Sequence, residues 1–78
     1  MRKESFNMKR YTLWKGTASG KGEAILLIDE PLYKTKIFAF KRAKKLSLNL
    51  AKGWDNAILV RLVTLGSDLC REWVFPSD

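Results

Sequence analysis

The sequence predicts a small α+β domain: an antiparallel β-sheet of four or five strands in the order β-β-(β)-α-β-β, with one amphipathic basic helix packed on one face. Three observations predict it. Several short runs are alternating or β-branched, and clusters of Gly, Pro, Asp and Ser separate them. One stretch alone, near residues 40–52, repeats its apolar residues at the helical spacing. Seventy-eight residues suffice for a single domain, and 46% hydrophobic content with nine aromatics is enough to build its core, unlike a disordered basic tail.

Taken in order, residues 1–8 read as a loose N-terminal leader and residues 9–78 as the domain. Arg10–Lys15 (RYTLWK) sets Tyr11 and Leu13 against Thr12 and Trp14, a strand pattern. Gly16–Gly22 (GTASGKG) is a turn by composition. Glu23–Ile28 (EAILLI) reads as a central strand paired with the first in a hairpin, and it stops at Asp29-Glu30-Pro31. Tyr33, Thr35 and Ile37 then alternate with Lys34, Lys36 and Phe38, which reads as a short third strand. The helix is expected from about Phe40 to Lys52. Gly53 is suited to stop it, and no Ser, Thr, Asp or Asn in 38–42 offers an N-cap. After a break at Trp54-Asp55-Asn56, Ala57–Leu65 (AILVRLVTL) is the most marked strand of the chain. Gly66-Ser67-Asp68 turns it, and Leu69–Phe75 (LCREWVF) returns before Pro76. The helix must cover one sheet face. Trp14, Arg61, Arg71, Glu72 and Trp73 are expected on the opposite face or at its edge.

The excess charge is local. Residues 34–54 carry seven basic residues (Lys34, Lys36, Lys41, Arg42, Lys44, Lys45 and Lys52) and no acidic one, which equals the whole net charge of +7. On a wheel of about 100° per residue centred on Ala43, the residues Ala39, Phe40, Leu46, Ser47, Leu50, Ala51 and Trp54 fall within roughly 80°. Lys41, Lys45 and Lys52 lie nearly opposite, as a ridge about 16 Å long, with Arg42 and Lys44 on the flanks. Solvated helix faces normally interleave Glu with Lys, whereas these cations repel one another. Leu48 stands beside them, so the face is either simply solvated, as charged helix faces usually are, or, from unopposed charge next to an apolar residue, a docking surface.

Several function classes drop out. The chain has no histidine, which removes Ser-His-Asp and Cys-His catalysis together with the commonest zinc ligand. Cys70 has no partner for an internal disulfide and reads as a buried, inert thiol, consistent with a reducing cytoplasm. Gly16–Gly22 has the composition of a phosphate-binding loop but not its spacing, and Gly22 stands where Ser or Thr would bind magnesium. Asp29 and Glu30, adjacent at a strand end, point to opposite faces and make no acid/base pair. The longest apolar run, Ala24–Ile28, is too short to cross a bilayer, and the N-terminus lacks the apolar core of a signal peptide. A non-enzymatic protein of the cytoplasm is expected, with no catalytic residue, metal, cofactor or membrane.

The succession of a strand, a helix of the form AKKLSLNLAKG, the strand AILVRLV and a hairpin ending in REWVF resembles the layout of small phage-encoded anti-CRISPR proteins of the type I-F kind. The resemblance covers about 40 residues and carries no diagnostic motif. It implies a stoichiometric inhibitor that binds a CRISPR surveillance complex through basic and aromatic surface residues.

Three functional readings are compatible with these features. The chain is a binding module, an inhibitor or adaptor, that docks its cationic helix on an acidic protein or nucleoprotein complex. Alternatively it binds DNA or RNA directly and with little sequence specificity, its lysines positioning it on phosphates. Or it is a structural accessory protein that uses exposed strand edges. The candidate binding residues are Lys34, Lys36, Lys41, Arg42, Lys44, Lys45 and Lys52, in a monomer or homodimer; Trp14 and Trp73 are expected in the core, the default for tryptophan in so small a domain, or alternatively as aromatic contacts.

Overall fold

The computed structural model describes residues 9–20, 22–64 and 69–77, the side chains of Leu69 and Cys70 excepted. The expected leader, the turn at Gly66–Asp68 and the Cys70 thiol therefore lie outside the described residues. The elements are β1 (Lys9–Gly16), β2 (Ile25–Leu26), α1 (Lys36–Leu48), β3 (Ala57–Thr64) and β4 (Leu69–Pro76). All strand pairs are antiparallel, in the order β2-β1-β3-β4.

The β1–β3 ladder is the backbone of the sheet. It pairs every residue from Lys9↔Thr64 to Gly16↔Ala57. Because side chains alternate along a strand, this register puts Tyr11, Leu13, Ile58, Val60 and Leu62 on one face. The β3–β4 register, with Val60↔Trp73 and Ile58↔Phe75, adds Trp73 and Phe75 to it. Leu13, Ile58 and Val60 are at most 2% exposed. The helix closes over them with Ala39, Ala43 and Ser47, all buried and four residues apart. Small side chains at that spacing let α1 approach the sheet closely, while Phe40 and Leu46 fill the two sides of the contact.

The second sheet face is also covered. Ala57, Leu59 and Thr12 are buried there although no helix lies over them. The β1–β2 connection folds back instead: a side chain at Gly16 would meet Leu59 Cδ1 at 2.9 Å, and Gly20 lies against Val74 and Glu72. Gly20 and Gly22 both have positive φ, which that return path requires. Trp14 donates from Nε1 to Thr12 Oγ1 (2.8 Å), and the Arg61 guanidinium stacks on its ring at 4.6 Å. Arg61 in turn faces Glu72 at 3.6 Å.

Four expectations are corrected. Glu23–Ile28 is not a central strand. Ile25 and Leu26 pair with β1 at the sheet edge, and Leu27 adds one bond from its N–H to the Leu13 carbonyl, because the other side of β1 is fully occupied by β3. Residues 33–38 are not a strand: Tyr33 makes a single bridge to Tyr11, and the helix begins at Lys36. The helix ends at Leu48 rather than Lys52. Asn49 N–H donates to the Leu46 carbonyl in a tightened last turn, and Leu50 leaves the helical path to pack on the core. Gly53, with φ +150°, serves the following turn instead. Finally, Trp73 and Arg71 lie on the helix-facing side of β4, not with Trp14, and Pro76 is the last paired residue of β4, opposite Ala57. An edge strand tolerates proline there.

Leu13 sits at the centre of the helix–sheet contact, so Leu13→Ala is expected to cost about 2–5 kcal/mol, read as a lowered urea midpoint with little change in slope.

Candidate functional site

The rotation of α1 decides which residues can meet a partner. With Ala39, Ala43 and Ser47 turned to the sheet, the opposite side carries Phe38, Lys41, Lys45 and Leu48, a stripe about 15 Å long. Ile37 and Lys44 flank it. All six side chains are exposed, Phe38 at 62%, Ile37 at 69% and Leu48 at 73%. Large apolar side chains ring three lysines, and among the described residues none of those lysines is paired with a carboxylate.

Nothing local stabilises the helix start. Thr35 occupies the N-cap position with extended backbone (φ −121°, ψ 148°), but its side chain makes no capping bond, and no acid stands in the first turn. The segment before the helix is instead tied down across the groove. Glu30 receives Arg42 Nε at 2.9 Å and Nη2 at 3.0 Å, while the Tyr33 hydroxyl donates to the same carboxylate at 3.1 Å. The forked bond from Arg42 holds the Glu30 carboxyl below its ordinary value, outweighing the opposing effect of burial. Burial first, and the bond to Glu30 second, raise the Tyr33 phenol, which stays a donor. Between this latch and the helix runs a shallow, open groove of about 510 Å³ lined by Tyr33, Phe38, Lys41, Arg42 and Lys45.

The expected site residues separate into groups. Lys41 and Lys45 share the groove, and Lys44 is exposed on the flank of the same face. Arg42 lines the groove, but its fork is held by Glu30, so it is no free cation. Lys36, about 20° from Ala43 on the wheel, is directed toward β4. Its ammonium lies 5.8 Å from the Phe40 ring and 5.6 Å from the Trp73 ring. Lys34 precedes the helix and Lys52 follows it, so the expected Lys41–Lys45–Lys52 ridge is cut to its first two members. Trp14 and Trp73 stand on opposite faces of the sheet and cannot serve one site. Trp73 is packed edge-on against Phe40 at 5.1 Å and beside Tyr11 at 6.0 Å.

No protein-family model, curated protein or solved structure matches this chain. The geometry must therefore carry the functional reading.

Sequence reasoning missed Ile37, Phe38, Tyr33 and Glu30. The signal was present: a helix begun after Thr35 places Phe38 three residues before Lys41, on the lysine side. It also missed Trp54, expected on the buried helix face but 70% exposed beyond the helix end. The loop bearing Trp54 is firmly held. Its carbonyl accepts the Ala18 N–H at 2.6 Å, the Gly53 N–H donates to Ser77 Oγ, and the Ser77 N–H donates to the Asn56 carbonyl. Trp54 shares a small pocket of about 210 Å³ with Ala18, Gly53, Pro76 and Ser77. Among the described residues no group of His, Cys, Asp or Glu could hold a metal ion, and no helix is long and apolar enough to cross a membrane.

The latch makes one stability difference depend on pH. A carboxyl whose folded pKa is lowered stabilises the fold fully above its ordinary value of 4.5, and the contribution is lost as acid titrates it. Glu30→Gln is therefore expected to unfold at lower urea than the native chain at pH 7, and this gap should close as the pH falls below 4.5 toward the lowered pKa. Parallel urea titrations at several pH values check it.

Proposed function

We propose that the chain is a non-enzymatic binding module, a stoichiometric inhibitor or adaptor, whose basic helix docks on an acidic protein surface, free or within a nucleoprotein complex. The observation that carries this reading is the composition of the outward helix face: Ile37, Phe38 and Leu48 exposed around Lys41, Lys44 and Lys45. Cations in water attract an anionic partner over about a Debye length and speed the encounter. Apolar residues among the cations give a protein partner contacts that a purely ionic surface lacks.

Direct binding to DNA or RNA is the weaker reading. Phosphates have no use for exposed Ile, Phe and Leu, and Arg42, suited to grip phosphate bidentately, is engaged by Glu30. Trp14 and Trp73 are packed within the fold on separate faces, and exposed Trp54 lines a different pocket from the one that Lys41 and Lys45 line. The layout that resembles type I-F anti-CRISPR proteins is compatible with the preferred reading, with a surveillance complex as the acidic or nucleic-acid-bearing target.

Charge reversal at Lys41 and Lys45 tests the proposal, since both side chains are solvent-exposed and the fold should persist by circular dichroism. Partners captured from host lysate are identified by mass spectrometry, with and without nuclease. An acidic protein kept after nuclease by the native chain and lost by Lys41→Glu/Lys45→Glu is the expected result. Equal capture by both chains rejects the proposal. So does tight binding to plain duplex DNA with log K falling against log salt at a slope of about −4, the signature of four or five phosphate contacts.

A further inference from the structure

The groove beside α1 has a shape and a chemistry of its own within the outward helix face, and its assignment to a ligand rests on the proposed docking of that face to an acidic protein. Its two walls have different origins. Phe38, Lys41, Arg42 and Lys45 come from one side of the helix, and Tyr33 comes from the segment that enters it. The walls are fixed relative to each other, because Arg42 and Tyr33 both bond Glu30 and Tyr33 is also bridged to β1 through both of its backbone groups, at 2.8 and 3.0 Å from Tyr11. The groove is therefore formed before any partner arrives, which lowers the ordering cost of binding.

Its chemistry is divided in the same way. The aromatic rings of Tyr33 and Phe38 offer an apolar surface, and the Phe38 ring is largely open to solvent. The free charges are the two lysines, because the Arg42 fork is satisfied by Glu30. Along the helix axis Phe38 and Lys41 are separated by about 4.5 Å, and Lys41 and Lys45 by about 6 Å. Alternate residues of an extended peptide are about 6.6 Å apart, close to the spacing of the two lysines.

We infer that this groove is a specificity pocket that takes one bulky apolar side chain, such as phenylalanine, from an extended acidic segment of the partner protein, with Lys41 and Lys45 holding carboxylates two residues apart. The occupant is a peptide rather than a nucleotide because exposed Ile37 and Leu48 stand beside the lysines on the same helix, apolar contacts that a protein segment can use and a phosphate backbone cannot. The apolar anchor supplies the selectivity, and the lysines supply attraction and register.

The test titrates the full chain with a fluorescein-labelled pentapeptide Phe-Gly-Asp-Gly-Asp, whose ring and two carboxylates share one face when extended, its counterpart Ala-Gly-Asp-Gly-Asp, and a pentathymidylate of comparable charge, while nitrogen-15 NMR locates the shifts. The phenylalanine peptide is expected to bind about tenfold tighter than the alanine peptide, the order expected for burying one aromatic ring. Its shifts should centre on Tyr33, Phe38, Lys41 and Lys45. Phe38→Ser, at an exposed position, should remove the difference between the two peptides, and Lys41→Gln/Lys45→Gln should weaken both and flatten their salt dependence. The inference is overturned by equal affinity for the two peptides, by no binding of the phenylalanine peptide at millimolar concentration, by shifts centred on Trp54, or by tighter binding of the oligonucleotide. Equal peptide affinities that are both lost with the lysine substitutions would sink the pocket and leave the cationic docking face intact. Lysine substitutions without effect on any ligand would sink both.

Discussion

Close approach of one helix to one sheet governs the rest of this structure. Ala39, Ala43 and Ser47 leave so little room between α1 and the β1–β3 ladder that the helix has a single workable rotation about its axis. A larger side chain at any of the three positions would have to displace Leu13, Ile58 or Val60, all packed with almost no exposure. The outward face follows from this contact. Phe38, Lys41, Lys45 and Leu48 point to solvent because they are the residues about 140–220° from Ala43 on the wheel. The buried seam and the exposed stripe are thus one constraint seen from two sides.

Strands were the part most legible in the sequence, for a physical reason. Alternation has a period of two residues, and both RYTLWK and AILVRLVT have a well-separated apolar side, so their pairing into a ladder leaves few alternatives. EAILLI misled because apolar density marks a segment able to enter a sheet, not one that finds a place in its middle. β1 was already satisfied on one side by β3, and the chain from Ile28 onward was needed to carry Glu30 and Tyr33 to the helix. The helix was located but displaced by about a turn at each end. Its start has no working side-chain cap and its end has no glycine, so the usual punctuation was missing, and packing of Leu50 on the core set the end instead. That displacement alone turned Phe38 from a strand residue into a helix-surface residue and removed Lys52 from the ridge.

Charge was legible as an amount but not as an arrangement. The seven basic residues of 34–54 look alike on paper, yet Arg42 is neutralised by Glu30, Lys36 lies over two aromatic rings, and Lys41, Lys44 and Lys45 remain for solvent or a partner. Glu30 belongs to the adjacent acidic pair that sequence reading treated as a strand end. Only the path from Leu27 through Pro31 to Tyr33 brings it within reach of a residue twelve positions later. Arg61, on the other sheet face, has Glu72 as its partner and Trp14 beneath its plane. Both arginines are thus used to hold elements together, and the cations left on the helix face are lysines.

This division of labour bears on what kind of recognition the surface can perform. Arginine presents a rigid fork that matches carboxylate or phosphate geometry, whereas lysine presents a hydrated point charge on a flexible stem. A surface whose arginines are committed internally gains attraction from its charges but little shape information. Discrimination has to come from the apolar groups around them. Phe38, Ile37 and Leu48 are held by a helix whose rotation is settled by its buried seam, so their spacing is as firm as the core beneath. The helix also lacks an acid or a side-chain cap at its start and carries lysines whose mutual repulsion is unrelieved among the described residues. An acidic partner would supply the missing counter-charge. The sequence therefore gives up helix stability in the free protein at the same residues where association would restore it.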